Sequence, residues 1–399
     1  MRAQFRPQVQ ERPRAATGKG HGLATFEENF LREPGVADLV DRLARAIPGR
    51  RAVAVALWGT AIFAASLAIG AAASQKPDGS AGPSRAVQIS AQPLYSFLRS
   101  GQDTQRFGSL RFLGGLVLYS GDKAFGGYSG MELSSDGTSL LAVSDAGTWL
   151  RAELDMTGGR PSGIKSARIG PLLALGSRRL TRSKDRDAEA LRLVKGTLDE
   201  GVALVSFERN ERIGYFDIAN GELKAPVRYL RPPRRLPHNK GIEAAAVLKH
   251  GAQKGRVIAF AERSTDANGH HRGWIWVDGR PMAVALTDVG GFDVTDVALA
   301  PDGDLYVLER RFRWSEGVKM RVRHIAAAAV KPGAVLDGRV VLRTDMRHEI
   351  DNMEAMSLHR DKRGRLVLTL MLDDNFNNFL QRTLLLQFIV DEAALKQRG

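Results

Sequence analysis

The sequence predicts an all-β chain folded as a β-propeller, with about six four-stranded blades behind an N-terminal hydrophobic export segment. Three observations predict it. Glycine is abundant (42 residues) and the apolar runs are short, as expected of many strands joined by tight turns. Helical periodicity is weak apart from short pieces such as "HIAAAAV". Above all, five segments repeat one hairpin pattern. A β-sandwich or two separate β-domains is the alternative use of the same strands.

The repeats are "YSGMELSSDGTSLLAVSD", "DAEALRLVKGTLDEGVALVSFER", "GIEAAAVLKHGAQKGRVIAFAER", "VTDVALAPDGDLYVLER" and "NMEAMSLHRDKRGRLVLTLMLDD". Each opens on a polar residue followed by a small or short one: Ser129-Gly130, Glu189-Ala190, Glu243-Ala244, Asp296-Val297 and Glu354-Ala355. A strand follows, then a turn such as Asp136-Gly137, Asp302-Gly303 or Arg363-Gly364. A second strand ends on an acid: Asp145, Glu208, Glu262, Glu309 or Asp373. The leading residues stand 60, 54, 53 and 58 positions apart. A unit of about 55 residues that starts with a hairpin suits one propeller blade. The sixth blade is expected to join the early strands around "SLRFLGGLVLYS" to the last strand, "RTLLLQFIV", closing the ring and removing free sheet edges.

Upstream of the repeats lies a different kind of chain. Arg50 and Arg51 precede an uncharged stretch, Ala52 to Ser74, that ends in small residues, with Ala71 and Ala73 suited to signal-peptidase cleavage. The stretch is also long enough to span a bilayer, so a cleaved signal and a retained anchor are both open. Either places the bulk of the chain in the periplasm or outside the cell, or outside the cytoplasm on an inner-membrane anchor. The resulting division is a leader over 1–49, a signal or anchor over 50–74, a linker over 75–100 and the propeller over 101–399. The leader is a disordered tail or the product of a misplaced start.

Composition narrows the chemistry. There is no cysteine, which excludes disulfides, thiolate metal sites, cysteine nucleophiles and a lipoprotein anchor. The net charge is +14, of which the first 74 residues supply +4, from ten Lys/Arg against six Asp/Glu. Such a surface draws anions. No interleaving of aromatic and basic residues points to nucleic acid, so none is expected as a partner. No GxSxG elbow surrounds Ser129, because position 131 is Met, and there is no HExxH motif and no phosphate-cradling P-loop.

The repeated acids are the candidate site. In a hairpin the start of one strand lies beside the end of the next, and in a propeller the first strand of each blade lines the channel. Glu189, Glu243, Asp296 and Glu354 are therefore expected around one mouth as catalytic carboxylates, with Ser129 beside them. Asp145, Glu208, Glu262, Glu309 and Asp373 are expected behind them as ligands for a hard cation, most plausibly Ca²⁺. Arg209, Arg263 and Arg310, each next to a closing acid, would hold an anionic group together with Arg382 and Asn375 of "MLDDNFNNFLQRT". The competing role for any one of these acids is structural, tying neighbouring blades through backbone and arginine.

Read together, "GGYSGMEL", "RDAEAL", "NKGIEAAAV", "DVTDVALAPDGDLYVLERRF", "DNMEAMSL" and "DDNFNNFLQRTLLLQF" resemble the bacterial phytase-like family, described as having esterase-like activity of phytase. The resemblance runs from about Phe107 to Val390, with Ala244 and Ala355 standing where a glycine is more usual. It implies an exported β-propeller that hydrolyses phosphoesters or esters. The function expected is thus metal-assisted hydrolysis at the channel mouth, by a monomer acting on an anionic small molecule. The alternative is a non-catalytic propeller that binds an anionic envelope ligand or a protein partner, touching membrane only through its N-terminal segment.

Overall fold

A computed structural model describes residues 82–233, 236, 241–373 and 382–396. The leader and the export segment fall outside these residues, as does Asn375. Among the described residues no helix is long and apolar enough to cross a membrane.

The regular structure of the described residues is almost all strand, arranged as five blades. Blade I is Tyr128–Leu133, Ser139–Ser144, Thr148–Thr157 and Arg160–Pro171. Blade II is Ala188–Gly196, Glu200–Phe207, Arg212–Ala219 and Glu222–Leu230. Blade III is Ile242–Val247, Val257–Thr265, His271–Val277 and Arg280–Leu286. Blade IV is Asp293–Leu299, Leu305–Arg313, Gly317–Ile325 and Arg339–Thr344. Blade V begins with Asn352–Arg360, Leu366–Asp373 and Thr383–Val390. Its fourth strand comes from the other end of the chain: Leu110–Tyr119 pairs antiparallel with Thr383–Val390.

The ring thus closes with the terminal strands expected to do it, but they complete the fifth sheet rather than build a sixth. The hairpin of Asn352–Arg360 and Leu366–Asp373 already needs two outer strands, and Thr383–Val390 and Leu110–Tyr119 are those two. The length assigned to a sixth blade is spent elsewhere. Part lies in the blade I–II connection, with its small hairpin Leu173–Ala174 and Arg178–Arg179. Part lies in the stretch expected as linker, where Arg85–Ala86 extends blade I and Ser90–Leu94 extends blade V.

Side chains alternate between the two faces of a strand, so a blade packed on both sides must be apolar on both. "TLLLQFIV" shows this: Leu384, Leu386, Phe388 and Val390 face the seam with blade IV, whereas Leu385 faces blade I. The other seams have their own apolar layers, from Leu141 to Leu223 between I and II, Ala190 to Trp276 between II and III, and Ala244 to Leu336 between III and IV. Each inner strand lies against the next, and that of blade V against that of blade I.

The blade IV–V seam holds the densest aromatic group. Phe388 meets Phe97 edge-on at 4.9 Å, and Phe97 stacks on Phe112 at 5.7 Å. Because Phe388 is fully buried on the closing strand, Phe388→Ala is expected to lower unfolding free energy by about 3–5 kcal/mol. Tyr95→Ala, at a site 76% exposed, should change it by no more than about 0.5 kcal/mol. Urea denaturation of the two variants checks the contrast.

Candidate active site at the channel mouth

Every inner strand begins with a β-bulge. The register against the second strand slips between Tyr128 and Gly130, Ala188 and Ala190, Ile242 and Ala244, Val294 and Asp296, and Met353 and Ala355. The extra residue of each bulge is therefore Ser129, Glu189, Glu243, Thr295 and Glu354. A bulge leaves one residue out of the ladder and re-aims its side chain. Here it turns the side chain towards the axis, where Glu243 and Glu354 raise the carboxyl pKa of Glu189, and Glu354 that of Glu243, by repulsion.

The residue after the bulge is small because inner strands crowd at the axis. A Cβ on Gly130 would lie 2.5 Å from the Leu191 amide nitrogen. Ala190, Ala244 and Ala355 fill the corresponding positions and are fully buried.

Blade IV departs from the sequence expectation by one residue. Its bulge residue is Thr295, so Asp296 takes the place of the small residue and points deeper. There Asp296 is fully buried, 2.5 Å from the Arg192 guanidinium, and it accepts the Met356 and Val297 amides at 2.7 and 2.8 Å. Arg192 also donates to the carbonyls of Met131 and Val297, at 3.0 and 2.9 Å. One side chain from blade II thus ties blades I and IV across the axis, and Asp296 brings in blade V.

The same slip moves the end of the hairpin. The closing acids pair, through the backbone, with the residue two before the bulge: Asp145 with Gly127, Glu208 with Asp187, Glu262 with Gly241 and Asp373 with Asn352. In blade IV the residue so paired is Arg310, opposite Asp293. Glu309 points the other way and is fully buried between Arg321 and Arg323, each within 2.6 Å. It is a blade-internal ion triad and does not reach the mouth.

The mouth is therefore ringed by Glu189, Glu243, Glu354, Ser129 and Thr295, backed by Asp145, Glu208, Glu262 and Arg310. Asp187 joins them. Carboxylate oxygens of Asp187, Glu189 and Glu208 all lie within 4.8 Å of one another. Gly241 makes room for this arrangement: a Cβ there would sit 2.4 Å from Glu208 Cγ, and its amide donates to Glu208 at 3.4 Å. Alignment of the repeats on their leading residues missed Asp187, Asp293 and Asn352. The signal lies two positions upstream of the bulge residues, where three of five units are polar.

Arginines supply part of the counter-charge. Arg209 meets Asp187 at 2.7 Å; Arg263 meets Asp293 at 2.8 Å and Glu262 at 3.5 Å; Arg310 lies 3.9 Å from Glu354. Arg382 pairs with Glu349 at 2.5 Å instead. Asn352 donates to Glu354 at 2.5 Å.

Two ionised carboxylates at 4.8 Å repel by about 3.5 kcal/mol at an effective dielectric of about 20, enough to hold one of them protonated. Burial, then repulsion from Glu243, Asp187, Glu354 and Asp145, pushes Glu189 well above the usual carboxylate range. Burial, then Glu262, Glu208, Glu354 and Asp187, does the same to Glu243. Burial lifts Glu262 to about 7, against the pull of Arg263 and Arg310. Below the ring, burial lifts Asp296 to about 6 despite Arg192.

The hard oxygen donors of Asp187, Glu189 and Glu208 fit a Ca²⁺-like cation, whose ligands sit at about 2.3–2.6 Å and so within about 5 Å of one another.

Two consequences can be measured. Arg192→Met leaves a buried carboxylate unpaired and is expected to cost about 3–5 kcal/mol of stability, with most of it recovered in Arg192→Met/Asp296→Asn. Glu262 has a folded pKa of about 7 against an ordinary 4.5, so its contribution to stability is full below pH 4.5 and is lost as pH rises to about 7. Without divalent cation, Glu262→Gln should flatten the stability profile across that window; an unaltered slope in chemical denaturation refutes the assignment.

A family model described as phytase-like, esterase-like activity of phytase, matches residues 123–376. A search of curated proteins finds no match.

Proposed function

The chain belongs to the phytase-like family, and from that membership we propose that it is an exported hydrolase of phosphoric or carboxylic esters acting at the acid-ringed mouth. The observation that carries the reading is the pairing of a carboxylate trio with a carboxyl poised at neutral pH. Asp187, Glu189 and Glu208 supply a converging donor set, and Glu262, at about 7, is matched to proton transfer at working pH.

The residues divide the work by charge. Asp187, Glu189 and Glu208 would hold a hard cation such as Ca²⁺, which when bound neutralises the trio and polarises an ester oxygen. Glu262 takes the proton from the attacking water and returns it to the leaving oxygen. Glu243, beside Glu262 in blade III, and Glu354 orient that water. Arg209, Arg263 and Arg310 face the negative charge that develops on the reacting group, where fixed cations stabilise a transition state more than a ground state. Asp296 acts indirectly, by fixing Arg192 and hence the spacing of the inner strands.

The rival reading is a propeller that captures an anionic envelope ligand at the same mouth without turning it over. One assay separates the two. The full-length chain is incubated with 4-nitrophenyl phosphate and 4-nitrophenyl acetate, with Ca²⁺ or with a chelator. Hydrolysis predicts Ca²⁺-dependent release of nitrophenol, lowered by about 10²-fold or more in Glu262→Gln and lost in Glu189→Gln, with unaltered circular dichroism in both. Binding of phosphate without turnover of either ester supports capture and overturns hydrolysis.

A further inference from the structure

We propose that the hairpin of blade IV is a specificity platform, selecting esters whose uncharged side is flat and apolar, such as an aryl group. The proposal rests on the hydrolase reading for the position of the reacting group. Its own basis is the part of blade IV that runs past the ring.

The second and third strands of blade IV stay paired beyond Arg310, through Arg311 with Lys319, Phe312 with Val318 and Arg313 with Gly317. Strand alternation puts Phe312 on the same face as Arg310, about 6.8 Å further out. Trp314 follows in the turn. Phe312 is 51% exposed and Trp314 64%, and their rings meet edge-on at 5.7 Å. Single exposed apolar residues need no explanation, but a paired aromatic surface beside a charged mouth marks an interaction site.

The opposite face of the hairpin is fastened down. Glu316 takes Arg311 at 2.7 Å and Arg313 at 3.4 Å, and pairs with Lys319 as well. Arg311 also donates to the Gly290 carbonyl at 2.7 Å and lies 4.9 Å over the Phe292 ring. The aromatic pair is therefore presented on a braced ribbon. A rigid aromatic surface loses little conformational freedom when a ligand stacks on it.

The spacing names the ligand. An anionic head held by Arg310 at the ring leaves its substituent pointing outward along the strand, onto Phe312 and Trp314. An aryl or similarly flat group fills that surface; a methyl group does not reach it.

The test uses phenylphosphonate and methylphosphonate, whose carbon–phosphorus bonds do not hydrolyse, titrated calorimetrically into the full-length chain with Ca²⁺ present. Phenylphosphonate is expected to bind about tenfold more tightly, the factor that aromatic contact supplies. Phe312→Ser/Trp314→Ser should bring the two within about twofold and leave methylphosphonate unaltered, whereas Arg310→Leu should weaken both alike. Equal affinities in the unmodified protein, a preference that survives the double substitution, or binding of neither phosphonate overturns the platform. Turnover is read separately. An inactive protein with an aryl preference keeps the platform and loses the hydrolase; an active one without the preference does the reverse.

Discussion

A β-bulge placed at the same point of five inner strands is the constraint from which the candidate site follows. Backbone pairing would otherwise turn alternate residues into the blade seams, where a carboxylate is expensive to bury. By leaving one residue outside the ladder, the bulge sends Ser129, Glu189, Glu243, Thr295 and Glu354 to the axis while Ala190, Ala244 and Ala355 stay packed against the neighbouring strand. Charge and core are thus separated within two residues of chain. The ring must close for this to matter, and the pairing of Leu110–Tyr119 with Thr383–Val390 closes it.

Five equivalent acids around one axis would be self-defeating, and the sequence avoids that by varying the positions. Blade I offers Ser129, blade IV offers Thr295, and blade IV puts Arg310 where the other blades close on an acid. The cationic side of the mouth therefore faces blades III and V, where Arg310 is close enough to draw on Glu262 and Glu354. The opposite side, around blade II, keeps Asp187, Glu189 and Glu208 together. A mouth divided in this way has one region suited to a cation and another suited to an anion, which a uniform ring would lack.

Much of this was legible in the sequence, and the errors have physical reasons. The hairpins could be read because each carries alternating apolar residues and a turn. Their leading acids could be read because a bulge recurs with a small residue after it. In blade IV the pair Asp296-Val297 lacks that small follower, and the true counterpart is Thr295-Asp296. Since a strand alternates every residue, a slip of one exchanges the faces completely. That single slip gave Glu309 the closing position that Arg310 occupies and moved Asp296 from the channel interior to the ring. The blade count failed for a different reason. Division of length by period cannot tell a connector from a blade, nor show that the two ends of the chain share one sheet.

The Arg192–Asp296 contact gives the mouth its depth. Arg192 spends its donors on Met131, Val297 and Asp296, drawn from two other blades, and is itself buried. Its guanidinium thereby links the inner strands of blades I, II and IV below the carboxylates. On the hydrolase reading, a substituent that does not fit between the carboxylates and Arg310 lies on the rim above. Above the ring the second strand of blade IV runs three residues past Arg310, as that of blade III runs three past Glu262. The crosspiece and the aromatic hairpin are in this sense two ends of one arrangement. On the proposed reading, one sets how far the charged part of a ligand descends, and the other determines what the remainder touches.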